Sequence, residues 1–340
     1  MEMKPGKQKT PPTDITETHP IGDLIRAAGR REDPPQENYD RVLAASERTF
    51  RSMVQRRRRR RISYGLAASL LVAAILVATV IGTRQQPAPI QVAVTETLRG
   101  TAAIRMAGQS GWSSLLGNDS PLMSASRLRT GRGSRIGFVL ANDVSVRLDE
   151  LTEIELESGS RIRLMAGTVY VDSGRDRFTI QPIQIVTQQG TASDIGTQFE
   201  MRYIDDVLRL RVREGRVLLQ REANQISSAQ GDQLSIDSGG QIVWAQIASD
   251  DPEWNWVETV APAPDIDGEP VTVLLDWVGR ETGRKIKFDN PDVKIAADRT
   301  ILHGDVQDLT PMEALVTMLS TTDLKFSLDE PGTIVVSTRN

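Results

Sequence analysis

Few side chains here could do covalent or metal chemistry. The chain of 340 residues has no cysteine and only two histidines, His19 and His303. That excludes disulfide scaffolds, thiolate nucleophiles, cysteine zinc sites and iron–sulfur clusters. No Walker A, GxSxG, HExxH or EF-hand pattern occurs. LRTGRGSR, 128–135, lies between strand patterns with no helix after it, so it reads as a tight hairpin rather than a phosphate loop. Asp143, Asp149, Asp172 and Asp194 fall at strand ends or turns, and no carboxylate pair stands out for glycoside hydrolysis. His303, near Asp305, reads as a structural or surface residue. The expectation is a protein that is not an enzyme and has no cofactor and no metal. Basic residues are better organised. In VLRLRVREGRV, Arg209, Arg211 and Arg213 share one face of a strand, and Leu208, Leu210 and Val212 share the other. The apolar face belongs in a core. The arginine face is either solvated, the plainer reading, or set against an acidic surface.

The elements that position these residues follow from periodicity. From 90 to 247 the apolar period is two, in runs such as SRIGFVL, VSVRL, EIELE, TVYVD and IQIVT, broken by Gly, Asn, Asp and Ser turns. This predicts an all-β domain, whether sandwich, barrel or solenoid-like. Phe199 reads as inward-facing, and Trp254 and Trp256 as pins that tie the domain to a linker over 248–270. Over 271–340 the order reads helix, strand, strand, helix, strand, strand. VTVLLDWVGRETG is a helix with Trp277 on its apolar side, closed by Gly283. KIKFD and ILHGDVQ read as strands. Thr310, Pro311 and Glu313 make a capping box for PMEALVTMLSTT.

The first 89 residues differ in kind. Residues 1–20 are polar and proline-rich and read as disordered. Residues 21–61 read as a helical tail in two amphipathic pieces, with Leu24 and Ile25 on one stripe and Val42, Leu43 and Phe50 on another. Such stripes lack a core of their own and suit a partner's surface. Six arginines follow, Arg56, Arg57, Arg58, Arg59, Arg60 and Arg61, and then ISYGLAASLLVAAILVATVI, 62–81, without a charge. Twenty apolar residues as a helix span about 30 Å, the bilayer hydrocarbon. The net charge is +6 over 1–61 and -10 over 82–340, within a whole-chain value of -4. The arginine bias predicts a single-pass helix with the N-terminus cytoplasmic, a linker over 82–89 and a periplasmic remainder, anchored at lipid rather than at nucleic acid.

LRTGRGSRIGFVLANDVSVRLDELTEIEL, RIRLMAGTVYVDSG and TASDIGTQFEMRYIDDVLRLRVREGRVLLQ carry a resemblance. Together they resemble the FecR family of inner-membrane sigma-factor regulators, or anti-sigma factors, above all in Asp194-Ile195-Gly196-Thr197-Gln198-Phe199 and in Val212-Arg213-Glu214-Gly215-Arg216-Val217. The segment 271–340 resembles the small STN module. The resemblance implies a single-pass membrane protein with a cytoplasmic tail, a periplasmic β domain and an α/β module. It implies a relay from the periplasmic signalling domain of a TonB-dependent receptor, often one serving iron transport, to an extracytoplasmic-function sigma factor, with membrane proteases taking part. It also implies cleavage at Gly196–Thr197, where a hydroxyl beside a strained peptide permits an N-to-O acyl shift. The same dipeptide also suits a plain strand start. The tail is shorter than the family's usual one and has no tryptophan before Trp112. A membrane-anchored envelope-binding scaffold without sigma-factor output is therefore the alternative.

Overall fold

The computed structural model describes residues 20–29, 35, 37, 40, 88–174 and 182–339. The chain divides into two units, Met1–Pro87 and Ala88–Asn340. In the first, helix α1 (Pro20–Ala27) is described, with Leu24 and Ile25 each 70% exposed. Val42, Leu43, Phe50, the six arginines and the apolar run 62–81 lie outside the described residues. No helix among the described residues is long and apolar enough to cross a membrane. The single-pass architecture, the inner-membrane placement with its periplasmic side, and the transmembrane relay expected above are corrected accordingly. Hydropathy reports how a segment partitions; it does not by itself establish a spanning helix. What is described is predominantly β.

In the second unit, strands β1 to β15 form one hydrogen-bonded system between Gln91 and Gln246. Three long strands give it two layers: β9 (Arg161–Asp172), β11 (Gly190–Ile204) and β12 (Val207–Arg221). The first half of β9 pairs with β8 (Glu153–Ser158) and, in parallel, with β10 (Gln184–Thr187). Its second half pairs with β7 (Ser145–Leu148) and with the second half of β11. One layer thus runs β3 (Ser113–Ser114), β2 (Ala102–Arg105), β5 (Ser126–Thr130), β8, β9, β10, β11, β12 and β13 (Asn224–Ala229), and the other β4 (Pro121–Met123), β1 (Gln91–Arg99), β6 (Arg135–Leu140), β7, β9, β11, β12, β14 (Asp232–Ile236) and β15 (Ile242–Gln246). Glycines stand where the three strands pass between layers: Gly167, Gly196 and Gly215 have φ of 98°, 64° and 80°. At Gly215 a Cβ would lie 2.5 Å from the Gly196 carbonyl oxygen, so a side chain is excluded there on two grounds.

One core fills the space between the layers, with Leu128, Ile154, Ile162, Val169, Phe199, Leu210, Val217 and Leu234 fully buried. These are the alternate residues of their strands, as a period of two requires. The sequence left sandwich, barrel and solenoid open; the two-layer arrangement with shared bent strands decides among them.

The remaining residues form a helical strap and a small module. Residues 252–258 make a 3-10 turn (Pro252–Trp254) and helix α2 (Asn255–Glu258). The module contains α3 (Val271–Thr282), β16 (Lys285–Phe288), α4 (Pro291–Arg299), α5 (Pro311–Ser320), β17 (Leu324–Ser327) and β18 (Thr333–Thr338). Its sheet order is β16-β18-β17, and Leu274, Leu275, Val278, Leu315, Leu319, Ile334 and Val336 form its core. Thr310 and Glu313 complete a reciprocal capping box. Two elements differ from the sequence reading. ILHGDVQ contributes a single bridge, Ile301 to Pro270, rather than a strand. Residues 291–299 form a helix that Asn290 caps by accepting a bond from the Val293 N–H, with Pro291 at the first helical position.

Candidate functional site

The outer face of the second layer is where polar side chains converge. Cross-strand register fixes the row: Arg147 faces Tyr170, Tyr170 faces Glu200, Glu200 faces Arg211 and Arg211 faces Gln233. Residues directly opposite one another on neighbouring strands are close enough to interact. A row of Arg, Tyr, Glu, Arg and Gln would ordinarily face water. Here it is dry: Arg147 and Tyr170 are fully buried, Glu200 is 1% exposed and Arg211 is 2% exposed.

The strap and helix α3 cover this face. Trp254 is completely buried, sits edge-on to Tyr170 at 6.1 Å and donates from its indole nitrogen to the Ala248 carbonyl at 2.9 Å. Trp256 lies 6.4 Å from Tyr170 and donates to Glu200 Oε2 at 3.0 Å. Trp277, on α3, donates to the Pro262 carbonyl at 2.9 Å. The guanidinium of Arg213 lies 5.4 Å from the Trp254 ring centroid and donates to the carbonyls of Ser249, at 2.7 Å, and Glu281, at 2.8 Å.

Two ion pairs join the β domain to the last turn of α3. Arg147 binds Glu281 through two bonds of 2.6 and 2.9 Å, with side chains 0% and 3% exposed. Asp172 takes Arg280 in the same two-pronged fashion, one bond measuring 3.0 Å, and Gln198 donates to the same carboxylate at 2.9 Å. Burial alone would lower the Arg147 pKa, but Glu281 outweighs it and holds the guanidinium charged. Burial would raise Asp172, yet Arg280 and Arg147 bring it below its ordinary value. Helix α3 ends immediately afterwards at Gly283, with φ of 67°. A Cβ there would meet the Ser249 carbonyl oxygen at 2.0 Å and Arg213 Nε at 2.7 Å, so only glycine lets helix, strap and strand approach this closely. A polar cleft of about 520 Å³ lined by Gln198, Arg213, Glu214, Ser249, Arg280 and Arg284 opens at the end of the seam.

The solvated reading of the arginine strand is thereby corrected. The acidic surface that Arg209 and Arg211 meet is the chain's own Glu200 and Glu253. Strand alternation exposes which residues share a face; it does not reveal that a later segment folds back over it. Arg147, Tyr170, Arg280 and Glu281 were not singled out from the sequence, although Arg147 sits at an alternate position of VSVRL, a signal in itself. His303 lies 3.2 Å from Asp267, and both are exposed.

The Gly196–Thr197 bond lies at the bend of β11. Thr197 N–H donates to Ser173 Oγ at 2.8 Å, and Ser173 N–H donates back to the Thr197 carbonyl at 3.0 Å. Thr197 Oγ1 and Asp194 Oδ2 are buried, and the Ser173 and Thr197 hydroxyls oppose the effect of burial on the Asp194 carboxyl. Burial raises the Asp194 carboxyl pKa. Phe199, two residues on, is fully buried.

Residues 126–218 match the family model described as FecR protein. That stretch holds Arg147, Tyr170, Asp172, Gln198, Glu200, Arg211 and Arg213, the β side of the seam; the covering strap and helix lie beyond it. Two solved structures of a proposed anti-sigma factor from Parabacteroides distasonis are also similar, at 1.65 and 2.50 Å resolution. They are 16% and 15% identical, with TM-scores of 0.35 and 0.34, and each comparison covers 63% of this chain and 99% of the other. No curated protein matches the chain. Among the described residues no His, Cys, Asp or Glu group could hold a metal ion.

Proposed function

We propose that the chain is a non-catalytic regulator of the FecR type that binds a sigma factor, with the 271–340 module docked on the β domain as its responsive part. The observation that carries this reading is the buried pairing of Arg147 with Glu281 and of Asp172 with Arg280. Buried ion pairs contribute little net stability when intact, yet breaking one is costly. They therefore suit a contact that is either fully made or fully released. The three-stranded sheet of the module offers edges to a folded signalling partner. The exposed Leu24 and Ile25 of α1 offer an apolar pair to the sigma factor. Replacing both by Asp should abolish capture of the sigma factor in a pull-down, while Glu281→Ala should leave capture intact and change its dependence on the partner bound at the module. Undiminished capture by the Asp pair would remove α1 from the partner surface.

A second reading concerns processing, and the buried Thr197 hydroxyl beside Gly196, set next to the Asp194 carboxyl, favours it. In an N-to-O shift, Thr197 Oγ bonds to the Gly196 carbonyl carbon, the Gly196–Thr197 C–N bond breaks, and the hydroxyl proton passes to the freed amine. Water then hydrolyses the ester to a carboxyl at Gly196. Both halves of β11 remain paired with neighbouring strands, so the nicked chain would stay assembled. Denaturing electrophoresis should show two fragments, and one intact chain for Thr197→Ala. A native chain that never fragments would end this reading.

A further inference from the structure

The edge strand β15 (Ile242–Gln246) is largely apolar where the other edges are short, charged or mostly polar. It pairs with β14 (Asp232–Ile236) on one side only and ends the second layer. Exposed edges invite pairing with another chain, and proteins blunt them with charge, proline or brevity. The opposite edge of that layer, β4, is three residues long and begins with Pro121. The other layer ends in β3, two serines, and β13, NQISSA. The module's edges carry Lys285 and Lys287 on β16 and Lys325 on β17. By contrast, residues 238–249 contain no charge at all. Ile242, Val243 and Trp244 are 40%, 54% and 48% exposed.

The hydrogen-bond phase shows what this edge presents. Asp237 N–H donates to the Gln241 carbonyl and Ile247 N–H to the Gly231 carbonyl. Bonding to the partner strand alternates along an antiparallel pair, so 241, 243, 245 and 247 turn their backbone groups toward β14. Ile242, Trp244 and Gln246 turn theirs to the open side. Trp244 lies opposite Leu234 and Ile242 opposite Ile236, both fully buried, so the two exposed side chains extend the core's apolar surface past its last covered strand.

We propose that this edge pairs with the same edge of a second copy of the chain. A two-fold axis at Trp244 sets Trp244 opposite its copy and Ile242 opposite Gln246. Every outward backbone group of 242–246 then finds a partner, and no charge meets a like charge. An uncharged strand that complements itself in this way favours a second copy over a basic or acidic peptide.

The test uses the full chain. Sedimentation equilibrium over a range of concentrations should show reversible dimerisation. Trp244→Lys, which sets like charges face to face, should raise the dimer dissociation constant roughly tenfold or more. Far-UV circular dichroism and Tm should stay as in the native chain, which separates loss of pairing from loss of fold. The absence of cysteine permits a second measurement. Residues in a bonded antiparallel pair have Cα atoms about 5.5 Å apart, within disulfide reach. Trp244→Cys should therefore give a disulfide-linked dimer on mild oxidation, whereas Val316→Cys, equally exposed on α5, should not. A native chain that stays monomeric, a folded Trp244→Lys chain that dimerises undiminished, or equal cross-linking at 244 and 316 would each overturn the proposal.

Discussion

Strand β12 turns Leu208, Leu210 and Val212 toward one side and Arg211 and Arg213 toward the other, and both sides are dry. The inner side is held by apolar area, which grows stronger with every methylene buried and has no preferred geometry. The outer side is held by charge pairs, carbonyl contacts and two tryptophans, all of which depend on the strap and on α3 lying in one place. The first kind of contact yields gradually. The second is lost as a unit, because an uncovered Glu281 or Arg147 regains water as soon as its partner leaves. The same strands thus carry a permanent face and a conditional one. The conditional face is the one that joins the β domain to the module.

The largest expected effects set the two faces side by side. Phe199→Ala deletes a fully buried ring from the inner core and should cost about 3–5 kcal/mol of unfolding free energy. Arg147→Ala strands a buried carboxylate on the outer face and should cost about 3–5 kcal/mol as well. The two substitutions part company on rescue. Replacing Arg147 and Glu281 together by methionine should return most of that loss, since an apolar pair of similar volume is often neutral. No second change at a charged residue should restore Phe199→Ala. Denaturant unfolding of these three variants beside the native chain measures this. Failure of the double variant to recover would mean that the outer face depends on something other than its charge pairing.

Next in size is the pH dependence, which the outer face should own. Burial pushes the Glu258 carboxyl, on the strap, up to about 7 from 4.5, with Arg213 opposing and Glu281 reinforcing. The folded state therefore holds this proton more tightly than the unfolded chain. Its stabilising contribution is complete below about 4.5 and is lost as pH rises through about 7. Asp172 runs the other way: its lowered pKa gives stability above the unfolded value of 3.8, lost as pH falls through the folded value. Glu258→Gln should match the native chain in Tm near pH 4.5 and exceed it at pH 8. A native-like slope in the variant would place the titrating group elsewhere; Glu96 and Asp194, both raised chiefly by burial, are the alternatives.

The inner face was legible in the sequence and the outer one was not, for a physical reason. Alternation in SRIGFVL or VLRLRV states which residues share a side, and apolar residues on one side need a core whatever covers the other. Burial of Arg147 and Arg213 depends on residues 110 and 68 positions away, Val257 and Glu281, and no local pattern encodes that meeting. The same limit explains helix α4. Its Asn290–Pro291 start was written in the chain, but PDVKIAADR carries only Val293 and Ala297 as buried residues, too thin a stripe to announce a helix. The apolar run 62–81 lies outside the described residues, none of whose helices is long and apolar enough to cross a membrane.

The smallest expected effect is a control on where the conditional face ends. Thr310 accepts a bond from the Glu313 N–H and the Glu313 carboxylate accepts one from the Thr310 N–H, so the cap satisfies two otherwise orphaned donors of α5. Those bonds hold the Glu313 carboxyl below its ordinary range. Thr310→Ala should therefore cost about 1 kcal/mol, the usual worth of a cap. The helix it opens buries Ala314, Leu315, Met318 and Leu319 within the module's own core. Amide hydrogen exchange should then quicken in α5 while protection of the strap, 252–258, stays as in the native chain. If the strap loosens together with α5, the module and the seam open as one cooperative unit, and the charged face is conditional on the module's internal packing rather than on its own ion pairs.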